Sequence, residues 1–364
     1  MAHRIPVQNL YYLLLYAWNR IPEGRAIDVA GITSPELPNL IGKVLLEGTR
    51  NLIRRGLERS YVEMEEDLSR PRGRMRISDT LNRALMSRVQ IAYTTDEFSR
   101  DVLPNQILRT TLERLVNTEG IDHSLRDGMT AILSSLSDIR SIALVARDFG
   151  RVQLHGNNAV YAFLLRVCAL AHEALLPEQR TGHFRFRDVL ADPQAMGMIF
   201  QDFVRNFFRL EQDQFAVKGD QIRWDVESDI GFGHHLLPAM FTDTSLFDGT
   251  RTIIVECKWT SGLQIGRGGK KTLKEDHLRQ LHTYMLHHAR ALSREGSVEG
   301  LLLYPLIDEA LDVELMIKGQ RLRGRTINFA VDWPEIRTQL LHLLEDAPLL
   351  IGRANQAVEA IAAS

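Results

Sequence analysis

The stretch Thr242-Asp-Thr-Ser-Leu-Phe-Asp-Gly-Thr-Arg-Thr-Ile-Ile-Val-Glu-Cys-Lys-Trp259 decides the reading of the C-terminal half. Asp248-Gly249 is the strongest short-range hairpin signal in the chain, and it joins two runs, 236–247 and 252–259, that read as strands. Side chains alternate along a strand, so Glu256 and Lys258 share one face while Ile253, Val255 and Cys257 take the other. Asp243 stands five residues before the turn and Glu256 seven after its glycine, so the hairpin can bring the two carboxylates together, subject to register. Two carboxylates with the adjacent backbone carbonyl of Cys257 form a hard oxygen donor set suited to Mg²⁺.

A cation held there lowers the pKa of bound water and polarises a phosphodiester, while Lys258 orients that water or offsets charge on the phosphate. A lone Glu-x-Lys triplet is common by chance and equally fits an edge hairpin facing water. The company it keeps favours the nuclease reading: Asp243 across the turn, an apolar strand, and a helix expected over 273–292 carrying Gln280-Leu-His-Thr-Tyr284. Gln280 and Tyr284 stand at i, i+4 on one face, with His277 and His288 continuing the stripe.

Outward from this hairpin, a second basic stretch, Arg267, Lys270, Lys271 and Lys274, reads as a loop placed to meet DNA phosphates or as a merely solvated one. Lys318, Arg321, Arg323 and Arg325 read as a hairpin turn able to lie along a DNA backbone, with strands expected over 300–304 and 327–331 and a last helix from 334. Gly266-Arg-Gly-Gly-Lys-Lys-Thr272 lacks the spacing of a phosphate-binding loop, so the chain itself is not expected to hydrolyse nucleotides. The pairs His234-His235 and His287-His288 lack a zinc spacing.

With 364 residues, 45% hydrophobic, the chain is long enough for two domains, and polar residues 177–187 with Gly182 mark the best boundary, near 185. Helices are expected over 7–19, 36–59, around 107–116 and around 160–175, with an extended run at 61–68. The expected architecture is α+β or α/β: a helix-rich domain over 1–185 and a mixed sheet flanked by helices over 186–364. Arg70, Arg72, Arg74 and Arg76 alternate as a strand would present them on one face, either to a phosphate or protein acid or as a solvated edge strand. Lys+Arg 44 against Asp+Glu 46 leaves no overall positive field, so nucleic-acid contact must come from local patches or a partner. Two cysteines 89 positions apart, no signal-peptide pattern and no long apolar run lead to the expectation of a cytoplasmic protein without a membrane span.

The order Asp243, Glu256-x-Lys258, Gln280-x-x-x-Tyr284 resembles the PD-(D/E)XK nuclease superfamily, with Thr242 where that motif often has proline. Ile5-Pro-Val-Gln-Asn-Leu-Tyr-Tyr-Leu-Leu-Leu-Tyr-Ala-Trp18, Pro71-Arg-Gly-Arg74, Asp96-Glu-Phe-Ser-Arg-Asp101, Pro104-Asn105 and Met198-Ile-Phe-Gln-Asp-Phe-Val204 together resemble the McrC family, nuclease subunits of McrBC modification-dependent restriction systems. The resemblance runs through nearly the whole chain. It implies an N-terminal domain that docks onto a hexameric AAA+ GTPase of McrB type and stimulates its GTP hydrolysis, with Arg72, Arg74 and Arg76 as candidate contacts. It also implies a C-terminal Mg²⁺-dependent nuclease acting on double-stranded DNA with modified cytosine, the GTP being bound by the partner. The family often carries a carboxylate where Phe200-Gln201-Asp202-Phe203 has glutamine, and Asp202 replaces it only if the helix is rotated. Two functional readings follow: an endonuclease subunit, or a non-catalytic DNA-binding adaptor regulating the GTPase. Retention of Asp243, Glu256 and Lys258 together favours the first.

Overall fold

The structure, a computed structural model, describes residues 5–345 except 26, 28–36, 155–157, 178–183, 187–191, 225, 227–230, 232 and 292–296, with backbone alone at 177, 267 and 289–291. It separates into two compact units, Arg20–Val189 and a second made of Met1–Asn19 with Leu190–Ser364. Helix α1 (Val7–Ala17) therefore belongs with the C-terminal residues, which corrects the expectation of one domain over 1–185. The reason is its composition. Leu10, Tyr11, Leu13, Leu14, Leu15 and Tyr16 are all buried, and a helix apolar nearly all round must be surrounded by core. Tyr16 packs edge-on to Phe203 and stacks on Trp333, Asn206 Nδ2 donates to the carbonyls of Tyr16 and Ala17, and Asn9 Nδ2 donates to those of Phe329 and Val331.

The unit Arg20–Val189 opens with α2 (Ile21–Arg25) and α3 (Leu37–Arg55). There follow β1 (Ser60–Leu68), β2 (Arg74–Met75), α4 (Ile77–Asn82) and β3 (Ile91–Ser99), forming an antiparallel sheet in the order β1-β3-β2. Helices α5 (Leu103–Val116), α6 (His123–Ser135), α7 (Ala146–Arg151) and α8 (Ala159–Ala174) lead to the short pair β4 (Leu175–Pro177) and β5 (Phe184–Phe186). Helices α5 and α8 pack together, and Ile107, Leu112 and Leu115 of the one and Phe163 and Leu164 of the other are fully buried, in agreement with the helical periodicity. Asn105 acts as a clamp: its Nδ2 donates to the carbonyls of Glu58 and Arg100 and its Oδ1 accepts from the Tyr161 hydroxyl. The arginine stretch is not one continuous strand. Gly73, at φ +77° and with no room for a Cβ beside the Thr94 carbonyl, turns the chain, so that only Arg74 and Met75 pair with β3.

The C-terminal unit continues with α9 (Pro193–Glu211), β6 (Ala216–Lys218), β7 (Gln221–Ile222), β8 (Met240–Phe241), β9 (Thr244–Phe247), β10 (Arg251–Cys257), β11 (Leu263–Ile265) and β12 (Lys271–Leu273). It ends with α10 (Glu275–Ala291), β13 (Ser297–Pro305), β14 (Asp312–Ile317), β15 (Gln320–Ile327) and α11 (Trp333–His342). A six-stranded mixed sheet runs β14-β15-β13-β10-β9-β6, with β10, β13 and β15 parallel and the outer pairs antiparallel. Every residue of β10 is buried, as expected for a parallel central strand with an Ile253-Ile254-Val255 run. Gly300 on β13 lets α10 lie close, since a Cβ there would run into the Met285 sulfur and Leu281.

Two strand expectations are corrected. The hairpin's first arm pairs with β10 only over 244–247, while Met240 and Phe241 join β7 in a separate ribbon. The break falls at Thr242, whose N–H donates to Asp220 O and whose Oγ1 accepts from Asp220 N. The strand expected over 327–331 lies instead at Gln320–Ile327, because Leu322 and Ile327 supply its buried positions.

Candidate active site

Asp243 sits just beyond the last pair of the β9–β10 hairpin, Thr244 with Val255, and so lies beside the end of β10 where Glu256 is buried. Its Oδ2 accepts from the Cys257 N–H at 2.7 Å, which ties the two arms together at the level the turn arithmetic requires. Thr242 explains the absence of proline, because its N–H is engaged with Asp220 O and a proline would lose that bond.

Lys258 leaves the end of the strand and donates from Nζ to Glu256 Oε1 at 2.7 Å and to Gln280 Oε1 at 3.0 Å. Gln280 Nε2 donates in turn to the Tyr284 hydroxyl at 3.0 Å. All five residues singled out for catalysis, Asp243, Glu256, Lys258, Gln280 and Tyr284, thus meet in one connected group. The packing of α10 at Gly300 brings its polar face to Lys258. His277 and His288 do not join them. His277 is buried against the Tyr304 hydroxyl, and His288 faces Asp220 at 3.9 Å.

The electrostatics are those of an incomplete site. Burial, and then the charge of Asp243, push the Glu256 carboxyl up to about 7, against the pull of Lys258. Asp243 is raised as well, by burial, with the Cys257 N–H, Lys258 and Arg205 acting in the opposite direction. Burial alone would lower Lys258, but the charge and hydrogen bond of Glu256, with Asp243 behind them, raise it above the usual ammonium range. Glu256 Oε2 is buried with no hydrogen-bond partner. A buried carboxylate oxygen in that condition, beside a second carboxylate, suits a hard divalent cation, and the donor set of Asp243, Glu256 and the Cys257 carbonyl fits Mg²⁺. Among the described residues no group of three or more His, Cys, Asp or Glu is placed to hold a metal, so a third protein side-chain ligand of those types is not at hand.

A cleft of about 400 Å³ opens on this group, lined by Gly197, Met198 and Gln201 of α9 and by Asp243, Lys258 and Trp259. Gln201 therefore occupies the position facing the site, whereas Asp202 is exposed and lies 3.3 Å from Arg205 Nη1. Arg205, one turn beyond Gln201, donates from Nε and Nη2 to the main-chain carbonyl of Asp243 at 2.8 and 2.5 Å. Sequence reasoning missed Arg205. Its i, i+4 spacing from Gln201, on the half-buried flank of the phenylalanine face, is the signal that was available.

The basic stretches divide. Lys270 is exposed on the turn of the β11–β12 ribbon, which replaces the expected loop, and the Arg267 side chain lies outside the described residues. Lys271 pairs with Glu309, and Lys274 Nζ donates to Thr260 Oγ1 at 2.7 Å. Arg321 and Arg323, assigned to DNA contact from sequence, are corrected. Arg323 is 2% exposed and lies 3.4 Å from Glu299, and Arg321 pairs with Glu314 at 2.8 Å. Both are in β15 rather than in a surface turn, and the acids that neutralise them arrive from β13 and β14. In the other unit Arg72 and Arg74 are exposed, while Arg76 is held by Glu65 and Asp79. No helix among the described residues is long and apolar enough to cross a membrane.

Comparison with known proteins bears on this arrangement. The chain is 28% identical to the Escherichia coli K12 type IV methyl-directed restriction enzyme EcoKMcrBC over 344 residues, covering 94% of this chain and 98% of that protein. Its fold is similar to a chain in the solved assembly of Thermococcus gammatolerans McrB AAA+ hexamers with bound McrC, at TM-score 0.55 and 14% identity, covering 93% of this chain and 76% of the other. With the family model matching residues 7–305, the chain belongs to the McrBC 5-methylcytosine restriction system component family.

Proposed function

We propose that this chain is the Mg²⁺-dependent endonuclease subunit of a modification-dependent restriction complex, cutting double-stranded DNA with modified cytosine when assembled with a hexameric AAA+ GTPase of McrB type. The observation that carries the reading is the buried Glu256 carboxylate with one oxygen on Lys258 and the other unpartnered, beside Asp243. Asp243, Glu256 and the Cys257 carbonyl would hold the cation. When bound, Mg²⁺ supplies Lewis-acid polarisation of the phosphodiester and a more acidic water. Lys258 keeps an ammonium at the mouth of the cleft, where it attracts the scissile phosphate and stabilises the charge that grows on it. Gln280 and Tyr284 hold that ammonium in place from α10. Lys270 extends the positive surface along the β11–β12 ribbon toward the DNA backbone.

The Arg20–Val189 unit is the proposed docking and GTPase-stimulating part. Arg72, 4.0 Å from Glu66, and Arg74 are exposed on the same small sheet region as exposed Tyr61, Met75, Ile77 and Phe98, a mixture of charge and apolar surface suited to a protein partner. The test is reconstitution of the full chain with its cognate GTPase on methylated and unmethylated DNA. Asp243→Asn and Lys258→Ala should each lower cleavage about a hundredfold or more while GTP turnover stays stimulated. The double change Arg72→Ala with Arg74→Ala should weaken stimulation and leave the nuclease unit folded. Undiminished cutting by Asp243→Asn would leave the adaptor reading in its place.

A further inference from the structure

We infer that Arg205 is a positioning residue for the cation site, acting through the main chain of Asp243. The inference rests on the metal-dependent reading above. Asp243 is not part of a strand. It lies in the two-residue gap between β8 and β9, where no ladder pairing fixes its backbone. Three things hold it instead. Thr242 is tied through N–H and hydroxyl to Asp220, with its Oγ1 also 2.9 Å from Ser245 Oγ. The Asp243 carboxylate accepts from the Cys257 N–H. Arg205 reaches across from α9 and places Nε and Nη2 on the Asp243 carbonyl at 2.8 and 2.5 Å.

The Arg205 fork is the link between the helix that forms the cleft wall and the loop that carries the carboxylate. A planar guanidinium presents two donors to one oxygen in a fixed geometry, which a lysine ammonium on a flexible stem does not reproduce. Its aromatic neighbours Phe203, Phe207 and Phe208 are fully buried, so the helix is a rigid support for the fork. The partners that orient a metal ligand are worth about 10–100-fold in metal affinity where they have been removed.

Charge and orientation make opposite predictions here. Arg205 is a cation near the site and, by Coulomb's law alone, opposes the approach of a divalent ion. If charge were its main effect, neutralising it would tighten metal binding. If it positions Asp243, neutralising it loosens binding in spite of the charge removed, and the charge-preserving lysine fails to rescue.

The experiment measures Mn²⁺ binding to the full chain without DNA, by electron paramagnetic resonance of the free ion and by the melting temperature in Mn²⁺ relative to EDTA. Arg205→Met and Arg205→Lys should each weaken Mn²⁺ binding about tenfold and shrink the Mn²⁺-induced rise in melting temperature. Asp202→Asn, which neutralises the exposed carboxylate 3.3 Å from Arg205 Nη1 and leaves the fork on the Asp243 carbonyl in place, should bind within about twofold of the wild type. Mn²⁺ affinity equal to or tighter than wild type in Arg205→Met, or wild-type affinity in Arg205→Lys, overturns the inference, and the lysine variant decides it alone if the methionine variant does not fold. Wild-type protein whose Mn²⁺ binding survives Asp243→Asn and Glu256→Gln unchanged would overturn the metal-site reading itself, a result distinct from failure of the Arg205 variants.

Discussion

Two clusters of buried charge lie on the same sheet, and they differ in completeness. At one, Arg251, Glu299, Arg321, Arg323 and Arg325 interlock with Asp312 and Glu314, so that each arginine has an acid within 3.4 Å, while Arg323 Nε and Nη2 are left without a hydrogen bond. Arg251 and Arg323 also cap the carbonyls of Leu344 and Leu343 just past α11. At the other, Glu256 pairs with Lys258, Asp243 accepts from the Cys257 N–H, and Glu256 Oε2 is left with no partner. Both bury groups that are costly to remove from water. The first gives every arginine an acid within the fold and is architecture, while the second, two carboxylates beside one ammonium, leaves negative charge to be offset by something that binds.

The largest expected effect tests the architectural cluster. Glu299→Gln removes the carboxylate that Arg251, Arg321 and Arg323 share, leaving buried guanidinium charge uncompensated. Burial lowers Arg323 to about 10 even with Glu299 in place, which shows how strongly this interior disfavours a cation. Breaking such a pair costs about 3–5 kcal/mol, so urea denaturation should show a large fall in midpoint. A shift of a few tenths of a molar or less would mean that this cluster, too, is not needed for the fold.

Glu256→Gln should behave in the opposite sense. It removes a buried charge that lacks a full set of partners, so the metal-free protein should gain stability while cleavage is lost. The sign with pH follows from the raised carboxyl. Folded Glu256 holds its proton up to about 7, against 4.5 as its ordinary value. Its contribution to stability is therefore fully present below about 4.5 and is lost as pH rises through 7. In EDTA, the stability advantage of Glu256→Gln over wild type should grow from pH 4.5 to 7 and then level off. An advantage that is flat across that window would mean that the carboxylate is already ionised and satisfied in the fold.

This contrast also shows what a sequence can and cannot display. Asp248-Gly249 with the alternation through Glu256 and Lys258 was readable because hairpin register is local and sets Asp243 beside Glu256, while Gln280 and Tyr284 reach Lys258 through the packing of α10 on the sheet. The Arg321–Arg325 run was misread as DNA-facing because the acids that bury it, Glu299 and Asp312, come from other strands and no local signal joins them. The same reason hid the place of α1. Its periodicity gave a helix, but its partners Phe203 and Trp333 are about half the chain and nearly the whole chain away. Arg205 escaped because its target is a main-chain carbonyl, which has no residue type to search for.

The smallest expected effect lies at the edge of the incomplete cluster and asks how far its organisation extends. Tyr284 touches Lys258 only through Gln280: the hydroxyl accepts from Gln280 Nε2, and Gln280 Oε1 accepts from Lys258 Nζ. Without the hydroxyl, the glutamine amide loses the partner that selects which of its ends faces the ammonium. Tyr284→Phe should then lower the cleavage rate by about threefold, one ordinary hydrogen bond's worth, and Gln280→Ala by about tenfold because Lys258 loses an acceptor outright. The double variant should be no slower than Gln280→Ala alone, since a residue that acts through another contributes nothing once the intermediary is gone. Single-turnover cleavage by the reconstituted complex measures all three rates. If the two losses multiply instead, Tyr284 makes a contact of its own in the cleft, and the incomplete cluster extends one residue further along α10 than the hydrogen bonds from Lys258 trace it.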